Sequence, residues 1–510
     1  MAKFLGLRGL GLKTAMVVLV VLPSFMLFGW NNGSTGHATN LESFVKQFPR
    51  IDTVNTKGAA KSYNALILGV VTACYDLGAV VGALSCIFFG DKLGRLRTVF
   101  VGLVLSVIAL AIETSAFWLA QFIIGRLLVG GSIGIISASI PIWQTECATT
   151  KHRGMFVIME GIFISAGIAL PSWIYLGTIP GLTGSAQWRV TMVLPAAFAI
   201  FAMPWVFFMP ESPRWLARKG RLDEARNVVA AIMDRPLDDP QVVAELHHIQ
   251  GQLELTTGGF RSFFKHSPER PLQRAFIALL AQSFTQWNGC SAMIFYTGSV
   301  FAELGFSGER GKLLAAGFVT TFTVAAFIPL FLVDRIGRRV LFMIGASGMC
   351  VSMAVLAGTG GHSNLAPVAL TFMFIYACSY AIGYLGLPFL YASEIAPLRL
   401  RVPVSAISVT GQWLGQFVVG QITPPGTANL GSHYWIIFAV FNASFLPIIY
   451  FFFPETNGKS LEDIDEMFES STALGVVRAS RLIGKSSGSG VENVVSDKDH
   501  SLSDVEHIEA

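Results

Sequence analysis

Apolar residues fill this chain in long runs, each about the 20 residues that a helix needs to cross a hydrocarbon core. Six such runs fall near 14–36, 64–90, 98–116, 118–142, 154–177 and 188–209. Six more fall near 271–301, 313–333, 340–358, 366–391, 402–424 and 433–453. The stretch 210–270 between the sets is polar, with helical patterns in Leu222-Asp223-Glu224-Ala225-Arg226 and around Val242–Leu253. Past about 475, Ser, Asp, Glu and Lys dominate without apolar periodicity, which predicts a disordered tail. The pattern therefore predicts an all-α polytopic membrane protein of twelve transmembrane helices in two six-helix halves. The expected divisions are an N-terminal segment 1–13, a first half 14–209 and a central loop 210–270 with short helices. A second half 271–453, a C-terminal helix 454–474 and the tail 475–510 follow.

Composition narrows the class. Only 13% of residues are charged and 53% are hydrophobic, with a mean hydropathy of +0.58. A water-facing surface needs more charge than that, since soluble domains carry about 25%. A net charge of +4 gives no reason to expect a nucleic-acid partner. Cys74, Cys86, Cys290, Cys350 and Cys378 lie within apolar runs, Cys147 ends another, and no C-x-x-C spacing occurs. They read as small buried hydrophobes, with no metal, cofactor or enzyme chemistry expected. The basic N-terminus before Thr14 could open a signal peptide, but Gly29-Trp30-Asn31-Asn32-Gly33 offers no convincing cleavage site, so a retained first helix is expected.

Charge sets the expected orientation. Short basic loops contain Lys92, Arg95 and Arg97; Lys151 and Arg153; Arg335, Arg338 and Arg339; and Arg399 and Arg401. All follow even-numbered spans, so both termini and the central loop are expected in the cytoplasm. Lys57 and Lys61 beside the second span vote the other way and are outnumbered.

The two halves repeat. Asp91-Lys-Leu-Gly94-Arg95 returns 243 residues later as Asp334-Arg-Ile-Gly337-Arg338. Glu146 through Arg153 returns 248 later as Glu394 through Arg401, and Pro210-Glu211-Ser212 returns 244 later as Pro454-Glu455-Thr456. Three ordered pairs at nearly one offset imply duplicated halves, and such halves suggest alternating access around a site between them. The glycines permit tight turns, and the acids and arginines can pair between adjacent helices as a cytoplasmic latch of the outward-open state. Solvated loop charge is the plainer reading of one such motif, and the repeat favours the latch.

These residues also carry a family resemblance. The two Asp-x-x-Gly-Arg loops resemble the signatures of the major facilitator superfamily. Pro210-Glu211-Ser212-Pro213-Arg214-Trp215-Leu216, Pro454-Glu455-Thr456-x-Gly458, Gly125-Arg126-x-x-x-Gly130 and Tyr391-x-Ser393-Glu394-Ile395-x-Pro397 look specifically like the sugar porter family, over roughly residues 15–470. Thr423-Pro424-Pro425 and Phe453-Pro454-Glu455-Thr456 look most like fungal members. The resemblance implies the major facilitator fold, transport of a monosaccharide or related polyol, and a site drawn from spans 5, 7, 10 and 11. Where the family has Gln-Gln-x-x-Gly-x-Asn, this chain has Thr285, Gln286, Asn288 and Ser291, so one Gln and the Asn are lost. Gln412, Trp413 and Gln416 replace the family's Asn-Trp-x-x-Asn, Phe389 its frequent Trp, and Gly161 its Gln, with Glu160 alongside. Amides and aromatic faces suit a sugar's hydroxyls and C–H surface. A lone amide in a membrane helix can instead bond a neighbouring helix; Trp287 and Phe295 read as lipid- or core-facing.

Energy coupling is left open between facilitated diffusion and proton symport. Proton-coupled members usually carry an Asp in the first span, where this chain has Asn31, which favours the facilitator. Asp76, Arg126 and Glu160 are charges inside spans, where such groups are functional by default or hold the bundle together. A sugar sensor that does not transport, or a carrier of a quinate-like acid or secondary metabolite, is the alternative. The expected setting is the lipid bilayer of the plasma membrane.

Overall fold

The structure is a computed structural model, describing residues 4–39, 41–53, 55–147, 153–178, 181–254, 270–306, 308–360, 362–397, 400–459, 461–470, 475–477 and 480. Ten helices among the described residues are long and apolar enough to cross a membrane. One of them, Pro403–Phe452, comprises two helices on either side of Gly431–His433, and a further broken helix begins at Pro271. Twelve spans result. The first half has α1 (Gly9–Ala38), α2 (Gly58–Leu93), α3 (Arg95–Thr114), α4 (Leu119–Cys147), α5 (Arg153–Thr178) and α6 (Ala186–Val206). The second half has α7 (Pro271–Trp287, continued by Cys290–Phe295), α8 (Gly308–Ile336), α9 (Arg338–Thr359), α10 (Ala366–Ile395), α11 (Arg401–Leu430) and α12 (Tyr434–Phe452).

The packing repeats with the sequence. In the first half α1 packs on α5, α2 on α4 and α3 on α6; in the second α7 packs on α11, α8 on α10 and α9 on α12. Across the halves α2 meets α11, and α8 meets α5. Advancing every label by six turns each contact into another, so the two-fold relation seen in the motifs extends to helix packing. Outward-facing Val81, Phe88, Ile108, Ile200, Phe331 and Val440 are more than half exposed, as a lipid-facing surface requires.

Small residues set the closest approaches. A Cβ on Gly78 or Gly82 of α2 would overlap the α4 backbone, and one on Gly130 or Gly134 would overlap the carbonyls of Tyr75 and Ala79 on α2. With no hydrophobic drive between helices in lipid, such backbone contact is what holds them. Gly125 does the same against α3, where a Cβ would stand 2.7 Å from Cα of Glu113.

Several boundaries differ from those the hydropathy predicts. The first helix begins at Gly9 and includes a π-helical stretch, Val17–Val21. Helix α11 continues through Pro424 and Pro425 to Leu430, where a stop was expected. Pro424 has no N–H to give the Gly420 carbonyl, and the Tyr296 hydroxyl of the second half donates to that carbonyl instead, at 3.0 Å. The central loop forms helices Pro213–Arg218, Leu222–Met233 and Pro240–Glu254, and its remainder, 255–269, lies outside the described residues. The C-terminal helix is Leu461–Ser470. Of the expected disordered tail, Val476, Val477 and Ser480 are described and buried, with Ser480 accepting from the Glu455 N–H; 481–510 lies outside the described residues.

Replacing Gly130 with Val should force α2 and α4 apart at a cost of about 1–3 kcal/mol. Thermal unfolding of the detergent-purified protein should show the lowered midpoint; an unchanged midpoint would mean that the helices are not held at this distance.

Candidate functional site

Two helices break beside the space between the halves. Helix α7 stops at Asn288-Gly289, where Gly289 takes φ +96°, a left-handed conformation open to glycine. The Asn288 Oδ1 atom caps the next segment by accepting from the Cys290 N–H at 2.9 Å. Its carbonyl accepts from the Asn442 amide of α12 at 3.1 Å, and the Tyr376 hydroxyl of α10 donates to Oδ1 at 3.2 Å. Helix α10 is interrupted at Tyr384–Gly386. Broken helices are tolerated at membrane depth where the protein meets the freed groups or where they line a cavity.

A cavity of about 40 Å³ lies against both breaks. A water needs about 10–15 Å³ on this measure, so a few waters fit, whereas open ligand pockets reach about 300–1,000 Å³. The polar lining is Thr285, Gln286 and Ser291 of α7, Gln412 and Gln416 of α11, Asn32 of α1 and Ser165 of α5. Phe28, Phe295, Phe322, Phe389, Tyr380 and Tyr384 supply aromatic surface. The Ser291 hydroxyl donates to Gln286 Oε1, and Gln416 Nε2 donates to Asn32 Oδ1 at 3.2 Å, joining the two halves. Among the described residues Gln412 Oε1 is buried with no hydrogen-bond partner, leaving an acceptor for a ligand.

Six of the residues expected at the site thus line this cavity: Thr285, Gln286, Ser291, Phe389, Gln412 and Gln416. The other four do not. Asn288 is spent on the α7 break. Trp413 is buried between Phe28 and Tyr75, with ring centroids 5.0 and 5.7 Å away. Gly161 packs on the α10 break, where a Cβ would stand 3.0 Å from Gly386. Glu160 is fully buried, without a hydrogen-bond partner among the described residues. Phe295, expected to face lipid or core, instead lines the cavity, while Trp287 packs on Phe441. Asn32, Tyr380 and Tyr384 were not anticipated; Asn32 alone had a signal, as a second amide beside Asn31.

Both ends of the cavity are closed. On one side Trp173 of α5 donates to Thr320 of α8 at 2.9 Å, and Gly36 of α1 abuts the Phe295 carbonyl. On the other, α5 meets α10 at Gly161 and Gly386, and only about 10 Å³ remains between Ile142, Gln282, Phe389 and Ser408.

Among the described residues, none of the buried charges inside the spans is part of the cavity lining. Asn31 donates to its own helix at Leu27, 2.8 Å away. Arg126 lies 3.8 Å from Glu113 and 4.6 Å over the Tyr75 ring, with all three fully buried. Glu113 ends an apolar run, where it looks like a loop acid, and was missed for that reason. Both Asp76 oxygens are buried without a hydrogen-bond partner among the described residues.

At the end carrying Gly94 and Gly337, hereafter the motif end, each half has one arginine in a dense network. Arg95 Nε and Nη2 donate to Glu146 at 3.2 and 3.3 Å, and Nη1 to Asp91 at 2.8 Å. Arg338 Nε and Nη2 donate to Glu394 at 3.2 and 2.9 Å, with Asp334 at 3.2 Å. Glu211 accepts the N–H groups of Arg95 and Leu96 at 3.1 Å, and Glu455 those of Arg338 and Arg339 at 2.9 and 3.0 Å. Each carboxylate therefore caps the start of α3 or α9, satisfying donors a helix leaves open. Burial pushes the Glu211 carboxyl up, against backbone hydrogen bonds from Ser212, Leu96 and Arg95. Gly94 and Gly337 turn with φ +98° and +87°, and a Cβ at either would crowd its capping carboxylate, at 2.7 and 2.6 Å. Trp143 and Tyr391, three residues before the paired glutamates, donate to the Pro210 and Pro454 carbonyls at 3.0 and 2.9 Å. Among the described residues each network lies within its own half, whereas a latch of the outward-open state has to act on the joint between halves. Arg153 and Arg401 open α5 and α11; their side chains lie outside the described residues.

Comparison with known proteins follows the same lines. A family model described as "Sugar (and other) transporter" matches residues 16–468. The chain is 33% identical to "Sugar transporter STL1" of Saccharomyces cerevisiae, over 91% of this chain and 82% of that protein. It is 32% identical to "MFS-type transporter oryC" of Aspergillus oryzae, over 93% and 89%. Among solved structures, the proton:xylose symporter XylE bound to 6-bromo-6-deoxy-D-glucose superposes with a TM-score of 0.79 at 22% identity, covering 90% of this chain and 99% of that one. At that identity the likeness shows the fold, that of the major facilitator superfamily.

Glu455→Gln puts an NH₂ group where an acceptor is needed and removes the charge at the α9 start. Loss of part of this cap should lower thermal stability by about 1–3 kcal/mol; a melting midpoint equal to wild type would show that the cap contributes nothing.

Proposed function

The chain belongs to the sugar transporter family, and from that membership we propose that it carries a monosaccharide or related polyol across a membrane by alternating access. One observation supports this most: a closed cavity between pseudo-symmetric halves, lined by amides and aromatic rings from the two broken helices and their partners. It is an occluded state. Gln286, Gln412 and Gln416 can bond hydroxyls, while Phe28, Phe295 and Phe389 offer flat apolar faces to the C–H surface of a ring. Compared with the family pattern this site has fewer amides, with Thr285, Ser291 and Gly161 at amide positions, which favours a ligand with fewer hydroxyls.

The rocking of the halves opens the cavity to one side and then the other. The motif end faces the cytoplasm on the positive-inside bias, with both termini there and uptake at the plasma membrane as the direction of use. The networks around Arg95 and Arg338 hold helix ends rigid within each half, so that the halves close against each other as units. Opening to the cytoplasm then requires the contact at Gly161 and Gly386 to part.

Gln286→Ala should weaken the apparent affinity for the transported sugar about three- to tenfold, the worth of one net hydrogen bond to a polar ligand. Uptake of labelled D-glucose, D-xylose and D-sorbitol by cells lacking their own sugar carriers measures it at matched surface expression. Kinetics identical to wild type would remove Gln286 from the site.

A further inference from the structure

The buried charges in the first half do not balance. Asp76, Glu113 and Arg126 are fully buried, open to neither water nor lipid. Arg126 pairs with Glu113 at 3.8 Å and stacks 4.6 Å over Tyr75, the neighbour of Asp76. One guanidinium can neutralise one carboxylate. A second carboxylate with neither oxygen bonded is too costly to hold as an anion at the middle of a membrane span.

The surroundings of Asp76 connect it to the substrate cavity. Around its carboxyl are the Arg126 guanidinium of α4 and the Gln416 amide of α11; Tyr296, directly after α7, is another titratable group that feels its charge, and Tyr75 and Cys74 flank it on α2. Gln416 lines the cavity and donates to Asn32 across the halves. Thus one amide stands between the bound ligand and the carboxyl. Helices α2 and α11 are also one of the two joints between the halves.

We propose that Asp76, Glu113 and Arg126 form the proton-binding site of this transporter, which makes it a proton–sugar symporter despite Asn31. The proposal rests on the transport reading above. One proton is shared by the two carboxyls while Arg126 neutralises the other. With the proton on Asp76, Arg126 stays on Glu113, and Gln416 is free to face the cavity. When Asp76 gives its proton to water on the opened side, Arg126 is drawn toward the new carboxylate and Gln416 turns to donate to it. The ligand loses that hydrogen bond and leaves. The same proton is taken up on one side and released on the other with each sugar, and no bond other than O–H is made or broken.

The test uses the full chain in proteoliposomes with a trapped pH-sensitive dye, and D-glucose, D-xylose and D-sorbitol as probes. Wild type should acidify the lumen when the transported probe is added. With the outside about one pH unit more acid, it should accumulate that probe up to about tenfold. Asp76→Asn should lose both responses yet still exchange labelled for unlabelled probe in counterflow, which also reports that it is folded. Wild-type exchange without any acidification would overturn the proposal and leave the transport reading standing. Acidification that persists in Asp76→Asn but vanishes in Glu160→Gln would overturn it too, by moving the site to α5. If wild type exchanges none of the probes, the transport reading fails and takes the proposal with it.

Discussion

No backbone group that a helix gives up inside a bilayer can turn to water, and the architecture of this protein follows from how its own side chains meet that demand. The break in α7 exists because Asn288 caps the second segment while Tyr376 and Asn442 hold the turn. The carbonyl released by Pro424 is taken up by Tyr296. Apart from the Asn288 cap, each of these bonds reaches from one helix to another. The irregular backbone that shapes the cavity is therefore also what ties α7 to α10, α11 and α12. A cavity of this kind cannot be widened by loosening one helix alone; the helices around it move as a set.

The same economy appears at the motif end, twice. A capping glutamate, a glycine turn and an arginine held by a second glutamate recur in each half with matching partners. The proline before each capping glutamate presents its carbonyl to an aromatic donor one turn before the paired glutamate. Within a half these bonds make α2, α3 and α4, or α8, α9 and α10, a single body. Between halves the contacts are of another kind: close approaches at glycines, Trp413 packed between Phe28 and Tyr75, and single polar bonds such as Gln416 to Asn32 and Trp173 to Thr320. Stiff halves with lightly bonded joints are what a rocking mechanism needs, since strain then collects at the joints.

Much of this was legible in the sequence. The spans, the two halves and the repeated motifs follow from apolar run length and residue spacing, which the bilayer enforces directly. Six cavity residues could be placed through the family resemblance. What was not legible depends on which way a side chain turns. Hydropathy cannot tell Asn288 at a helix break from an amide facing a ligand, and both fit the same stretch of α7. Tyr380 and Tyr384 look like any aromatic residues in an apolar span. Pro424-Pro425 reads as a stop unless Tyr296, more than a hundred residues earlier, is known to stand opposite. Glu113 could be connected to Arg126 only once Gly125 was seen to bring α4 onto α3.

The proposed rocking of the halves requires that the two entrances of the cavity open alternately and never together. Spin–spin distance measurements across the halves test this most directly, with one label pair at Lys92 and Arg335 on the motif end and another at Lys61 and Arg310 on the opposite end. All four residues are exposed. The account predicts two reciprocal populations, in which a longer distance at one end accompanies a shorter one at the other, and a shift between them on adding the transported sugar. Distances that lengthen together at both ends, or a single fixed distance at each end with and without sugar, would contradict it.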